Sequence, residues 1–155
     1  MKVVVLRGIS GSGKSTLARS RANMLSKGVG RKVAIVGADL IMEELHRGEF
    51  VKTSLHRCHI ICFKRFLDIL MEGETDTIFV DNTNTRVQEA SPYVIASEAY
   101  GAEVEVITLV CPPEEAWERS RNVNDASVIL DQYTRLMSEP TPPYWKRETV
   151  FTHDT

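Results

Sequence analysis

The sequence predicts an α/β fold of three layers, with a central, mainly parallel sheet of four to five strands and a helical lid. Three observations carry this. Short apolar, β-branched runs alternate with segments of helical period; a glycine-rich loop joins the first run to the first helix; and an acid follows each of two later runs. Parallel strands buried on both faces read as unbroken apolar runs. Right-handed crossovers bring their C-terminal ends to one edge, where such sheets bind ligands.

The elements follow in order. Lys2 to Arg7 contains Val-Val-Val-Leu and reads as a buried strand, and Lys14 to Ser26 reads as a helix stopped by Gly28 and Gly30. Lys32 to Val36 is the second strand, Asp39 to Leu45 a short helix ending near Gly48, and Thr53 to Met71 the longest helix. The apolar stripe of that helix is assigned to Leu55, His59, Cys62, Phe63, Phe66, Leu67 and Leu70, which leaves Cys58 and His56 pointing elsewhere. Thr77 to Val80 and Val104 to Val110 are strands three and four, separated by a helix from Val87 to Tyr100. Pro113 opens a helix over 113–121, at a position that tolerates proline, and a last helix runs from Val128 to Ser138 before the Pro140-Thr-Pro-Pro143 cluster.

The chain has 155 residues, 43% hydrophobic and 26% charged, which suits one folded domain over 1–155. Its net charge of -2 conceals an asymmetry: residues 1–75 carry 13 Lys/Arg against 7 Asp/Glu, and residues 76–155 carry 6 against 14. The first half is therefore the one suited to face phosphates. Three cysteines with no C-x-x-C pair, no signal-peptide pattern and no run near the roughly 18 apolar residues of a membrane span fit a reducing cytoplasm and no membrane.

Gly8-Ile-Ser-Gly-Ser-Gly13-Lys14-Ser15 is a complete G-x-x-x-x-G-K-[ST] phosphate loop with a strand before it and a helix after it. Glycines let the backbone turn its N–H groups onto a phosphate, and the helix N-terminus adds partial positive charge. The loop predicts an ATP site made by Gly8, Ser10, Gly11, Ser12, Gly13, Lys14, Ser15 and Thr16, with Lys14 on the β- and γ-phosphates and the Ser15 hydroxyl on Mg²⁺. A regulatory GTPase is disfavoured, because Asn122-Val-Asn-Asp125 lacks the lysine of a guanine-selecting motif and follows a helix.

Asp39 and Asp81 each follow a strand, so both side chains are expected to converge on the loop. Asp39 is the candidate base for an acceptor hydroxyl, with a helix N-cap as the plainer alternative. Asp81 is the candidate carboxylate that holds Mg²⁺ through water, with a strand-end turn former as its alternative, and Asp81-Asn-Thr-Asn84 forms a dense polar cluster. On the helix after the fourth strand, Arg121 is the candidate lid arginine for the transferring phosphoryl group and Arg119 its alternative.

Glycine loop, Asp39, Asp-Asn-Thr-Asn and Arg121-Asn122, in that order, resemble the polynucleotide 5′-kinase group of P-loop kinases. The resemblance implies a P-loop kinase fold, ATP as donor with Mg²⁺, and a DNA or RNA 5′-hydroxyl as acceptor near Asp39. It implies that Lys14, Asp39 and Arg121 are catalytic and that Ser15 and Asp81 hold the metal. Two departures stand out: phage polynucleotide kinase has an arginine three residues after the base, where this chain has Met42, and the segment after Asn122 reads Val-Asn-Asp-Ala-Ser without further basic residues. Kinases of a hydroxymethylated DNA base or of a small metabolite share the same donor site, and a binding module without transfer is a third class.

The remaining polar residues carry weaker signals. Arg57 and Lys64 read as a solvated helix face that an acceptor backbone could also meet. His56, Cys58, His59 and Cys62 do not converge as zinc requires, and His59 reads as a core or cleft-edge histidine.

Overall fold

In a computed structural model, which describes residues 1–152, five parallel strands form one sheet in the order β2-β3-β1-β4-β5. Positions 153–155 of the expected domain lie outside the described residues. The strands are β1 (Lys2–Arg7), β2 (Val33–Val36), β3 (Thr77–Asp81), β4 (Glu103–Val110) and β5 (Arg147–Phe151). The helices are α1 (Lys14–Asn23), α2 (Ala38–His46), α3 (Leu55–Glu72), α4 (Val87–Ala99), α5 (Pro113–Ser120) and α6 (Ala126–Ser138). This is the expected α/β sandwich of the P-loop kinase fold, with β1 central and the loop at its C-terminal end.

Two elements differ from expectation. The helix expected over Lys14 to Ser26 ends its α-helical part at Asn23 and closes in a wider π-type turn over Met24–Gly28. The fifth strand of the expected four to five had no place assigned in the sequence: Arg-Glu-Thr-Val-Phe has no apolar run and is largely exposed, as an edge strand permits.

One face of the sheet packs Val3, Val5, Ile78, Val80 and Val106 against α3 and α4. The fully buried line of α3 is Cys58, Cys62, Phe66 and Leu70, spaced every four residues. Cys58 therefore belongs to the core and does not point elsewhere; a free thiol packs as a small hydrophobe. The opposite face buries Val4, Leu6, Phe79, Ile107 and Leu109 beneath α1, with Ala18 in contact. A third cluster, Ile9, Cys111, Ala116, Ile129 and Leu136, seats α5 and α6 against the phosphate loop. Each fully buried large side chain of this kind contributes roughly 1.5–3 kcal/mol by leaving water. Among the described residues no helix is long and apolar enough to cross a membrane.

Candidate active site

The phosphate loop is held from several sides. Gly8 N–H donates to the Thr83 carbonyl at 2.9 Å, which ties the loop to the segment after β3. Gly11 has φ +80°, and a Cβ there would lie 2.2 Å from the Ala116 carbonyl oxygen, so α5 rests directly on the loop backbone. Gly13, at φ +100°, is the N-cap of α1 and brings no side chain to the cap. The first turn of α1 also has no acid, so no carboxylate of its own offsets the positive end of the helix dipole.

Lys14 is buried, and its Nζ donates to the Ile9 carbonyl at 3.0 Å. Burial lowers its pKa from the ordinary lysine value, while Asp81 and Asp39 pull it back up. A desolvated ammonium facing two carboxylates is well placed to take up phosphate oxygens. Ser15 Oγ donates to Asp81 Oδ2 at 2.6 Å, so the two expected metal-binding oxygens already stand together. Hard oxygen donors of this kind suit Mg²⁺, which normally takes one or two protein ligands and completes its shell with phosphates and water. Among the described residues no group of His, Cys, Asp and Glu forms a metal centre of its own.

Asp39 lies in the first turn of α2. Gly37, not Asp39, is the N-cap and has no side chain to bring to it, so the plainer reading of Asp39 fails. The placement of Asp39 is set by backbone packing. A Cβ on Gly37 would come 2.6 Å from the Asp81 carbonyl oxygen, and the Ala38 N–H donates to Asn82 Oδ1 at 2.8 Å. The ends of β2 and β3 are thus drawn together and bring the two acids to one cleft.

That cleft measures about 420 Å³ and is lined by Ser10, Gly11, Gly13, Lys14, Ser15 and Thr16 together with Asp39, Asp81 and Arg119. Gly8 and Ser12, expected to hold nucleotide, are both buried and lie outside this lining. A Cβ on Gly8 would approach Ser12 Oγ to 2.7 Å, so these two positions shape the loop from behind. Arg121 is also outside the lining and pairs with Glu118 at 3.4 Å on an exposed surface. Arg119 lines the cleft and donates from Nη1 to the Gly11 carbonyl at 3.1 Å. A larger hollow of about 830 Å³ lies at the opposite end of the strands, beside Lys2, Arg21 and Asp76, and contains none of the motif residues.

Arg7 and Gln132 were not read from the sequence as contributors, and Asn84 was read only as a member of the polar cluster after β3. Arg7 is 1% exposed and donates to the carbonyls of Asn84, Thr85 and Glu139 at 2.8, 2.9 and 3.1 Å. Desolvation lowers its pKa, and Glu139 and Glu89 oppose that. Its signal was a charged residue at the end of an apolar strand, a position seldom charged without a structural duty. Asn84, at φ 45°, donates back to the Leu6 carbonyl at 2.9 Å. Gln132 on α6 accepts the Ser10 N–H through Oε1 at 2.9 Å and gave no sequence signal. Met42, in place of an arginine, is buried, and its Sδ accepts the Val51 N–H at 3.4 Å.

The fold has relatives among solved structures. The Pnkp1/Rnl/Hen1 RNA repair complex superimposes with a TM-score of 0.69 at 20% identity, covering 88% of this chain and 44% of that one. A gluconokinase from Sinorhizobium meliloti gives 0.63 at 12%, covering 99% and 84%. The APS kinase CysC of Mycobacterium tuberculosis, in complex with AMPPNP and APS, gives 0.59 at 15%, covering 96% and 87%. At these identities the likeness is one of fold. No curated protein matches the sequence. The profile of the family described as AAA domain, AAA_33, matches residues 3–138, and the chain belongs to that family.

Proposed function

We propose that this chain is a kinase that moves the γ-phosphate of ATP to a hydroxyl of a nucleic acid, by default a 5′-OH end. One observation carries the reaction class: Lys14, the Ser15–Asp81 pair and Asp39 all face the same 420 Å³ cleft at the loop. The polynucleotide-kinase resemblance of Asp81-Asn-Thr-Asn84 supports the acceptor, and the likeness to an RNA repair complex agrees with it.

In this reading the loop N–H groups and Lys14 hold the phosphates, and Ser15 and Asp81 hold Mg²⁺, which when bound neutralises phosphate charge. The acceptor oxygen attacks the γ-phosphorus, its proton passes to an Asp39 carboxylate oxygen, and the bond to the β–γ bridging oxygen breaks to release ADP. Arg119 replaces Arg121 as the arginine facing the transferring group, because it is the one that lines the cleft.

A second reading, a small uncharged metabolite as acceptor, is favoured by one observation. Among the described residues the only Lys and Arg lining the cleft are Lys14 and Arg119, both at the loop side. The test offers γ-labelled ATP to 5′-OH DNA, 5′-OH RNA, duplex DNA with a hydroxymethylated base, nucleosides and sugars. Label on a polymer end is expected, and label on none of the polymers would overturn the nucleic-acid reading.

A further inference from the structure

Beside the phosphate-loop cleft lies a second cavity of about 480 Å³, between α3 and α4. The two share His59, and consecutive residues Thr83 and Asn84 line one each, so the second cavity continues the first on the side away from the loop. Its walls are Phe63, Pro92 and Tyr93, with the exposed Ile60 at the rim. The Phe63 and Tyr93 rings meet edge to face at 5.1 Å.

Its polar groups are His56 and His59 on α3, Asn84 in the loop before α4, and Gln88 and Glu89 on α4. Gln88 and Glu89 both line the cavity and are exposed. Pro92 has no N–H, so the Gln88 carbonyl loses the donor that a helix would give it four residues on. The α4 side therefore offers the Glu89 carboxylate and the Gln88 amide. Among the described residues no lysine or arginine lines this cavity. A phosphate-bearing or carboxylate-bearing group would meet the Glu89 carboxylate and no lysine or arginine there, whereas a flat ring with N–H donors on its edge meets an aromatic wall and acceptors.

We propose that this cavity seats the heterocyclic base of the acceptor nucleoside, with Gln88 and Glu89 reading its edge and His59 at the passage to the transfer cleft. The proposal rests on the kinase reading and sharpens it: the acceptor is selected by its terminal base and not by a backbone phosphate next to the hydroxyl. The same ring chemistry belongs to a free nucleoside and to a strand end.

The test uses the full chain and the probes adenosine, ribose, a 5′-OH oligonucleotide and the same strand with an abasic 5′ residue. Removal of the terminal base is expected to lower kcat/KM about tenfold or more, the size of a lost base-stacking contact. Ile60→Trp, at an exposed rim position, is expected to weaken adenosine and strand binding while leaving the KM for ATP unchanged. Glu89→Gln is expected to reorder kcat/KM among strands that differ only in the terminal base. Higher kcat/KM for free adenosine or for the strand names the source, and either preference sustains the subsite. Equal use of the abasic strand and the intact one overturns the proposal. If no acceptor is phosphorylated, the kinase reading fails separately. Calorimetry with adenosine and ribose then decides the subsite: tighter adenosine binding that Ile60→Trp abolishes sustains it, and equal binding overturns it.

Discussion

Ser15 Oγ, in the first turn of α1, donates a 2.6 Å hydrogen bond to Oδ2 of Asp81 at the end of β3, 66 residues later in the chain. The bond joins the two oxygens proposed to hold Mg²⁺ and fixes their separation before any nucleotide arrives. Asp81→Asn keeps the shape and removes the charge. It is expected to weaken Mg²⁺ about 10–100-fold, read as the metal concentration for half-maximal turnover. An unchanged Mg²⁺ dependence would remove Asp81 from the metal.

Asp39→Asn separates binding from transfer. The residue lies in the first turn of α2 with its cap supplied elsewhere, so the substitution leaves the helix intact. Transfer is expected to fall about 10²–10⁴-fold, with the ATP dissociation constant within a few-fold of wild type. Equal turnover would exclude Asp39 as the base.

The two arginines of the α5 region give opposite expectations. Arg119→Ala removes a cleft-lining guanidinium and is expected to lower kcat by about 10³ or more if it faces the transferring group. Arg121→Ala removes only an exposed pair with Glu118, worth roughly 0–1 kcal/mol. Its kcat is expected to stay within a few-fold. Single-turnover rates of both variants at saturating ATP make the comparison, and the reverse ranking would return the role to Arg121.

Gly11→Ala tests the seating of α5 on the loop. The new Cβ would sit 2.2 Å from the Ala116 oxygen, at a φ that a side chain resists. Strain alone costs about 1–3 kcal/mol, equivalent to a melting temperature lower by several degrees in a domain of this size. Thermal melting checks it, and the loss of ATP affinity is expected to exceed the loss of stability because the loop itself is displaced.

His59 gives the chain a pH signature. Burial holds its imidazole below the ordinary value of 6.5; Glu89 and Asp39 oppose this, and His56 adds to it. The ring in the unfolded chain then binds a proton before the folded one does. Stability therefore rises with pH between the folded value and 6.5, and is lost on acidification across that window. His59→Gln is expected to flatten this slope in denaturant titrations from pH 7 to pH 5. A slope unchanged by the substitution would assign it to other groups.

The sequence made the glycine loop between β1 and α1 legible because such a loop needs glycines at fixed spacing. Gly8, Gly13, Lys14 and Ser15 cannot be rearranged and still form the loop. Strands β1 to β4 were legible as apolar runs for the same reason that they are central: both faces are covered. β5 was not, since an edge strand with one solvated side carries no such run. Cys58 was missed because a cysteine does not announce burial, although its place four residues before Cys62 did. The choice between Arg119 and Arg121 was beyond the sequence. Arg119 on α5 and Arg121 just past its end differ by about 200° of rotation, and the packing of Ala116 on Gly11 decides which side meets the cleft.

Arg7 has a mechanical consequence. Its guanidinium pins the Glu139 carbonyl, just past the end of α6, to the Asn84 and Thr85 carbonyls. The Glu139 carboxylate in turn accepts the Val87 N–H at the start of α4. α6 is thus a lever with a fixed fulcrum: its middle touches the loop through Gln132, and its foot is bolted to the segment that leads into α4. The same joint carries Asn84, a wall of the cavity proposed to seat the acceptor base. The proposed donor and acceptor sides therefore share one pin, and it is an arginine that lines neither cavity.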